Sequence, residues 1–397
     1  MSQDPPSLLR GGAAAAVLAA LPGARVVGGA VRDLLAGRPV QDVDLGAPWP
    51  PEAIIARLRE AGLKVFETGL AHGTVTAVLD QAPVEVTSLR RDVATDGRHA
   101  AVEWTTDWRE DAARRDFTIN AMSMGADGVV WDYFGGRADL AAGRVRFVGD
   151  PATRLAEDYL RALRFFRFQA RYGQGAPDAA ALAAIRAAVP GLARLSAERV
   201  WMELKRLLAA PDPRAALALM AETGVLAAVL PEGADLGVLG ALVAAGAPAD
   251  PLLRCAALVG PDATDAALPE RLRWSAAEAS RYGAARRLDP IRGQPDGADL
   301  WRALAQAPPA DLVDAAWIAE ARGLPGDWAA LRARIRATQP PVFPLKGRDA
   351  IEAGLEPGPR IGAVLEQVRA WWLARGCTDD AAACRARLRE LAAGPTI

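Results

Sequence analysis

The chain reads as an α+β protein, with a small mixed head followed by a remainder that is helical almost throughout. Three observations predict this. Strand-like and helix-like segments alternate over residues 24 to about 150. Two neighbouring runs, 73–79 and 83–89, alternate apolar and polar residues as antiparallel strands do. From Pro151 onward, apolar residues recur at helical spacing.

The elements follow in order. Residues 25–28 read as a short strand, 30–35 as the start of a helix, and 40–45 as a second strand. An amphipathic helix over 51–61 puts Ile54, Ile55 and Leu58 on one side. Val75, Ala77 and Leu79 share one face of their strand, as do Val84 and Val86 of the next. A further strand over 128–134 is ended by Gly135 and Gly136. In the helical part, Ser196 stands where an N-cap belongs, and Val200, Leu204, Leu207 and Leu208 form an apolar stripe. Breaks near 246–250, 289–299 and 339–345 divide about ten expected helices, and no fixed-period repeat is visible.

Composition excludes several functions. With 397 residues, half of them hydrophobic, two to three domains with large cores are expected. The net charge of −1 excludes a globally basic nucleic-acid binder but leaves room for a local basic face. Lys64, Lys205 and Lys346 are the only lysines, so the cations are almost all arginine, the residue suited to bidentate phosphate contact. Two histidines, His72 and His99, cannot build a His-rich zinc site or a metal phosphohydrolase domain of several His and Asp ligands. Cys255, Cys377 and Cys384 show neither metal spacing nor a disulfide framework, which points to the cytoplasm. Cys377 and Cys384, seven apart, could share a helix face as small buried hydrophobes. The first residues lack a cationic start before an apolar stretch, so no signal peptide is expected. The Ala-rich run that follows is too short to span a bilayer.

Five strings carry the chemistry: GGAVRDLL (28–35), DVDL (42–45), EVTSLRRD (85–92), RRDFTINAM (114–122) and EDYLRALRFFRF (157–168). Asp42 and Asp44 lie two apart on the expected strand, so both carboxylates face one side and Val43 the core. Such a pair suits a hard divalent cation that also binds phosphates. Glu85, on a neighbouring strand, is placed to add a third carboxylate. Gly28 and Gly29 form a turn ahead of a helix, where backbone can approach phosphate, with Arg32 one turn along. Arg115, beside Asp116 and Asn120, can bind a phosphate while the acid and amide meet a ribose. Taken singly, each string has a plainer reading as a turn, a solvated strand edge or a helix start.

The last string is expected to be one helix over 157–171. On a helical wheel Leu155, Tyr159, Leu163, Phe166 and Ala170 form the buried face. Arg161, Arg164 and Arg167 step round the other side, together with Phe165 and Phe168. Phenylalanines among arginines point to a nucleotide or a second helix covering that surface. Asp158 and Arg161, i and i+3, could accept from an amine and donate to a ring acceptor. That pattern admits cytosine and adenine and refuses guanine and uracil.

In order and content these strings resemble the bacterial (class II) CCA-adding tRNA nucleotidyltransferases, within the poly(A) polymerase head-domain superfamily. The resemblance covers about residues 24–210 and, more loosely, 345–362. It implies a nucleotidyltransferase head (1–150), a neck with base-reading helices (151–210), a helical body (211–340) and a tRNA-binding tail (341–397). It implies Mg²⁺ on Asp42 and Asp44, with Gly29, Arg32 and Arg115 as phosphate contacts. Asp158 and Arg161 would then read the base, with Arg164 and Arg167 beside the same nucleotide. Asp132–Gly136 matches a head-to-neck motif, the helix at 196–203 braces the base reader, and residues 95–98 fall on a loop involved in switching from C to A addition. Residues 69–80 lack the basic and aromatic cluster of poly(A)-adding relatives. The implied activity is template-independent CCA addition to the tRNA 3′ end from CTP and ATP, with pyrophosphate release. Poly(A) tailing, CC-only or A-only addition, and a non-catalytic RNA-binding role are the alternatives. No membrane or protein partner is implied.

Overall fold

The computed structural model describes residues 9–95, 100–260 and 267–393. The chain forms two compact units, Met1–Pro231 and Glu232–Ile397.

The first unit is built on a seven-stranded mixed sheet. Its elements are α1 (Gly12–Ala20), β1 (Arg25–Val27), α2 (Gly29–Leu35), β2 (Asp44–Ala47), α3 (Pro51–Glu60), β3 (Lys64–Gly69), β4 (Thr74–Leu79) and β5 (Ala82–Ser88). A two-stranded hairpin, β6 (Arg90–Thr95) with β7 (Ala100–Trp104), and α4 (Trp108–Ala113) come next. Then come β8 (Met122–Met124), β9 (Val130–Asp132) and α5 (Gly136–Ala141). The strand order is β3-β4-β5-β2-β1-β8-β9; β2 and β5 run parallel and the other neighbours antiparallel. Val75, Ala77, Val84, Val86 and Leu45 cover one face of the sheet. Ile54, Ile55 and Leu58 of α3 pack on them as predicted, and Val17 and Leu18 of α1 join them, removing water from a continuous apolar layer. Side-chain alternation leaves Asp44 and Glu85 on the other face.

Four differences from the sequence reading bear on function. The second strand begins at Asp44, not residue 40; Asp42 lies in the irregular segment just before it, though Val43 still packs against the core. The strands β3, β6, β7 and β8 and the helices α1, α4 and α5 carry too little periodicity to be read in advance. The expected helix over 157–171 is two: α6 (Pro151–Glu157) and α7 (Leu160–Tyr172), broken at Asp158, whose backbone is extended (φ −156, ψ 107). The supposed cationic face is half core. Phe165 and Phe168 are buried against Phe117 and Phe147, with Phe147 and Phe165 stacked at 6.1 Å and Phe117 edge-on to Phe168 at 5.3 Å. Rings of the protein itself, Phe117 and Phe147, lie against these phenylalanines. Leu155, Leu163 and Phe166 are buried as expected, whereas Tyr159 and Ala170 are half-buried.

After α8 (Ala179–Ala188), α9 (Ala197–Leu208) lies along α7 with Val200, Leu204, Leu207 and Leu208 buried. Ser196 is its N-cap residue, but the hydroxyl makes no capping bond.

The second unit is helical among its described residues. One core gathers Leu312, Ala316, Leu331 and Ile335 between helices Pro309–Ala321 and Trp328–Ala337. Another gathers Val364, Val368, Trp372, Cys384 and Leu388 between Pro359–Ala374 and Ala381–Ala393. Sixteen α-helices, not about ten, follow residue 150 among the described residues, because short helices joined by weakly punctuated loops merge when read by periodicity alone. All three cysteines are free and buried; Cys377 precedes the helix that holds Cys384, so the two do not share a helix face. Among the described residues no helix is long and apolar enough to cross a membrane.

Candidate active site

The carboxylates come first. Asp44 opens β2 and stands directly across from Glu85 in the parallel β2–β5 register, so the two share the face turned away from the core. Asp42 and Asp44 line a common cleft with Arg32, Arg167 and Arg206. Asp42, Asp44 and Glu85 line a second hollow beside β4 and β5. The Asp44 carboxyl is pushed above the ordinary carboxylate range by burial, then by Glu85 and Asp42, with Arg115 opposing. Like charges crowded on one carboxylate are what a divalent cation relieves, so the donor set fits one at Asp42 and Asp44. Among the described residues no three His, Cys, Asp or Glu side chains converge as a ready ligand set.

The glycine turn leads straight from β1 into α2. Gly28 has φ +65, and a Cβ there would stand 3.1 Å from Arg115 Nη1. Glycine therefore lets Arg115 lie against the turn. Arg115 is aimed by Asp111, which is 3% exposed and accepts from Arg115 Nη2 at 3.0 Å and from Arg114 Nε at 2.9 Å. Arg32 is buried, donates to Asn120 Oδ1 and Asp33, and lies against the rings of Phe168 and Tyr172. Asp116 accepts from Arg164 Nε at 2.8 Å, from Asn120 Nδ2 at 2.9 Å and from the Phe117 N–H at 2.8 Å. Arg32, Asn120, Asp116 and Arg164 thus form one hydrogen-bonded chain along the cleft wall.

Asp116 has a pH consequence. Burial opposes its charge, but Arg164 and the bonds from Asn120 and Phe117 overcome this and hold it below the ordinary value of 3.8. A carboxyl whose folded-state pKa is depressed stabilises the fold above its unfolded value and loses that contribution as pH falls through the folded one. The stability difference between wild type and Asp116→Asn in denaturant melts is therefore expected to hold from pH 7 to about pH 4 and to shrink below it. A difference independent of pH down to 3 would contradict this.

A cleft of about 380 Å³, of ligand-pocket size, joins these parts. Gly28, Gly29, Arg32, Asp44, Arg115, Asp116, Asn120, Asp158, Arg161 and Arg164 all line it, together with Arg199. Asp44 and Asp158 therefore share a cleft. The expected Asp158–Arg161 pair on one helix is not formed. Asp158 sits in the break, and Arg161 donates to Glu157, to Arg154 O at 3.0 Å and to Arg114 O at 3.2 Å. Arg161 thereby caps the carbonyl ends of α6 and α4, which helix dipoles favour. Arg167 turns instead to Glu203 of α9, at 2.7 Å, and lines the cleft of Asp42. Residues 96–98 of the supposed switching loop lie outside the described residues.

Sequence reasoning missed Asp111, Arg199 and Glu203. The signal was present for the last two: they stand four apart on the polar side of an amphipathic helix, but a polar stripe alone does not say what it faces.

Over 367 residues the chain is 38% identical to the mitochondrial CCA tRNA nucleotidyltransferase 1 of Mus musculus, covering 89% of this chain and 83% of that protein. The chain belongs to the CCA tRNA nucleotidyltransferase family. Residues 24–146 match the poly A polymerase head domain. Residues 176–236 match a segment described as a probable RNA and SrmB-binding site of polymerase A. The CCA-adding enzyme of Geobacillus thermodenitrificans is 41% identical over 214 residues, 53% of this chain and 51% of that one. The CCA-adding enzyme of Bacillus stearothermophilus, solved in complex with CTP, superposes with a TM-score of 0.74 at 27% identity, over 94% of this chain and 95% of that one. CCA tRNA nucleotidyltransferase chemistry is metal-dependent.

Proposed function

We propose that this chain adds C, C and A to the tRNA 3′ end from CTP and ATP, without a nucleic-acid template and with release of pyrophosphate. The observation that carries the reading is the single cleft joining Asp44, the Gly28–Gly29 turn, Arg115 and Asp158 in a chain akin over most of its length to CCA-adding relatives. Asp42 and Asp44 would hold Mg²⁺, with Glu85 alongside. Bound there, the ion supplies Lewis-acid activation of the attacking hydroxyl and charge neutralisation at the triphosphate. The protein's own groups do the rest. Gly28 and Gly29 let backbone approach the phosphates, and Arg115, held by Asp111, meets phosphate oxygens as a guanidinium fork. Arg32, Asn120, Asp116 and Arg164 form a wall that shapes the ribose end of the cleft. Asp158 accepts from the amine of cytosine or adenine and repels the carbonyl of uracil or guanine. The head, neck, body and tail boundaries at 150, 210 and 340 belong to this proposal. So does a cytoplasmic setting, supported by three free, buried cysteines, although the murine relative is named mitochondrial.

The test uses tRNAs ending at successive positions, each with one labelled nucleotide. Two CMP additions followed by one AMP, then arrest, are expected. Open-ended AMP incorporation would make the chain a tailing enzyme, and failure at one step a CC- or A-adding enzyme. tRNA binding without pyrophosphate release from any end would make it non-catalytic.

A further inference from the structure

We propose that Arg199 is a positioning residue that orients Asp158 and so sets which nucleobases are accepted. This rests on the reading above in which Asp158 faces the base. Asp158 occupies the extended break between α6 and α7, where no regular helix geometry fixes its side chain. Its direction comes from two bonds. Oδ1 accepts from the Leu160 N–H at 3.1 Å, a local contact two residues away. Oδ2 accepts from Arg199 Nη2 at 2.7 Å, across the interface with α9. The second bond is charge-assisted, hence short and directional.

Arg199 comes from a fixed platform. It lies in the first turn of α9, whose buried stripe packs along α7. One turn on, Glu203 contacts Arg167 of α7 at 2.7 Å, so the same edge of α9 is anchored at the break and again on α7. Arg199 lines the cleft that Asp158 lines. Arg161 cannot share this task in the same arrangement, because its guanidinium is spent on Glu157 and two carbonyl oxygens.

The chemistry follows from lone pairs. A carboxylate has about four acceptor sites; two of these are occupied, and the remaining ones point where the bonds to Leu160 and Arg199 aim them. Selectivity needs the repulsion against a carbonyl to be inescapable. An acid free to change rotamer turns away from uracil O4 and tolerates it, whereas one held at both oxygens cannot.

The experiment measures kcat/KM for CTP, UTP, ATP and GTP with the full chain, on tRNA lacking CCA and on tRNA ending in CC. The proteins are wild type, R199A, R199K and D158A, each checked by thermal melting. R199A is expected to lower the CTP/UTP and ATP/GTP ratios about tenfold. R199K, which keeps the charge but not the fork, should fall between R199A and wild type, and D158A should lose at least as much as R199A. Should R199A melt early, R199K carries the comparison. If D158A loses selectivity while both Arg199 variants slow all four nucleotides in proportion, the inference is overturned and the base-reading stands. If D158A keeps wild-type ratios, the base-reading itself fails and takes the inference with it.

Discussion

Replacing Asp44 by alanine is expected to lower nucleotide incorporation by about a thousandfold or more and to leave the fold at least as stable. The first half follows from where Asp44 stands. It opens β2 opposite Glu85 and reaches the clefts that also hold Asp42, the glycine turn and Asp158. No neighbouring carboxylate can substitute for it, since Glu85 belongs to another strand and Asp42 to the segment before β2. The second half follows from electrostatics. A carboxyl whose pKa is raised in the folded state is one whose charge the fold disfavours, through burial and then Glu85 and Asp42. Near neutral pH, removing that charge removes a repulsion. Single-turnover incorporation and a thermal melt on the same preparation check both halves. Normal turnover would discard the metal-site assignment, and an early melt would discard the electrostatic argument. Asp42→Ala should show the same loss of turnover.

Glu203→Ala should instead destabilise the first unit by about 3–5 kcal/mol, a fall in melting temperature of about 10 °C. Glu203 is 3% exposed and faces three arginines: Arg167 at 2.7 Å, Arg206 at 3.5 Å and Arg164 at 3.8 Å. Burial already pushes the Arg167 guanidinium down to about 10, with Glu203 the main group holding it up. Taking away the acid leaves buried positive charge without its counter-ion, which costs far more than the pair itself contributes. Glu203→Gln keeps volume and hydrogen-bonding capacity and should lose less. Calorimetry decides; a melt within one or two degrees of wild type would show that Arg167 finds water or another partner, as Arg164 already has in Asp116.

Much of the site is legible in the sequence. Gly28, Asp44, Arg115 and Asp158 were named from spacing and chemistry, and the fold brings all four to one cleft. What failed, failed for one reason. The string around Asp158 repeats apolar residues at helical spacing, so a periodicity argument extends one helix across it. The break residue is bonded to Arg199, forty-one residues away in sequence, a contact that no local pattern records. Phe165 and Phe168 read as exposed because their partners, Phe117 and Phe147, lie on a different part of the chain.

Local residue order was therefore enough for the α+β class, the strand–turn–helix at Gly28, the outward carboxylates of Asp44 and Glu85, and the helical second half. Each of these depends on contacts a few residues apart or on side-chain alternation, which a linear string records. Tertiary structure alone decided the parallel pairing that sets Asp44 against Glu85, the commitment of Arg161 to helix ends, and the bond from Arg199 to Asp158. Those depend on which distant segments pack together, and buried charges and rings take whatever partners that packing supplies.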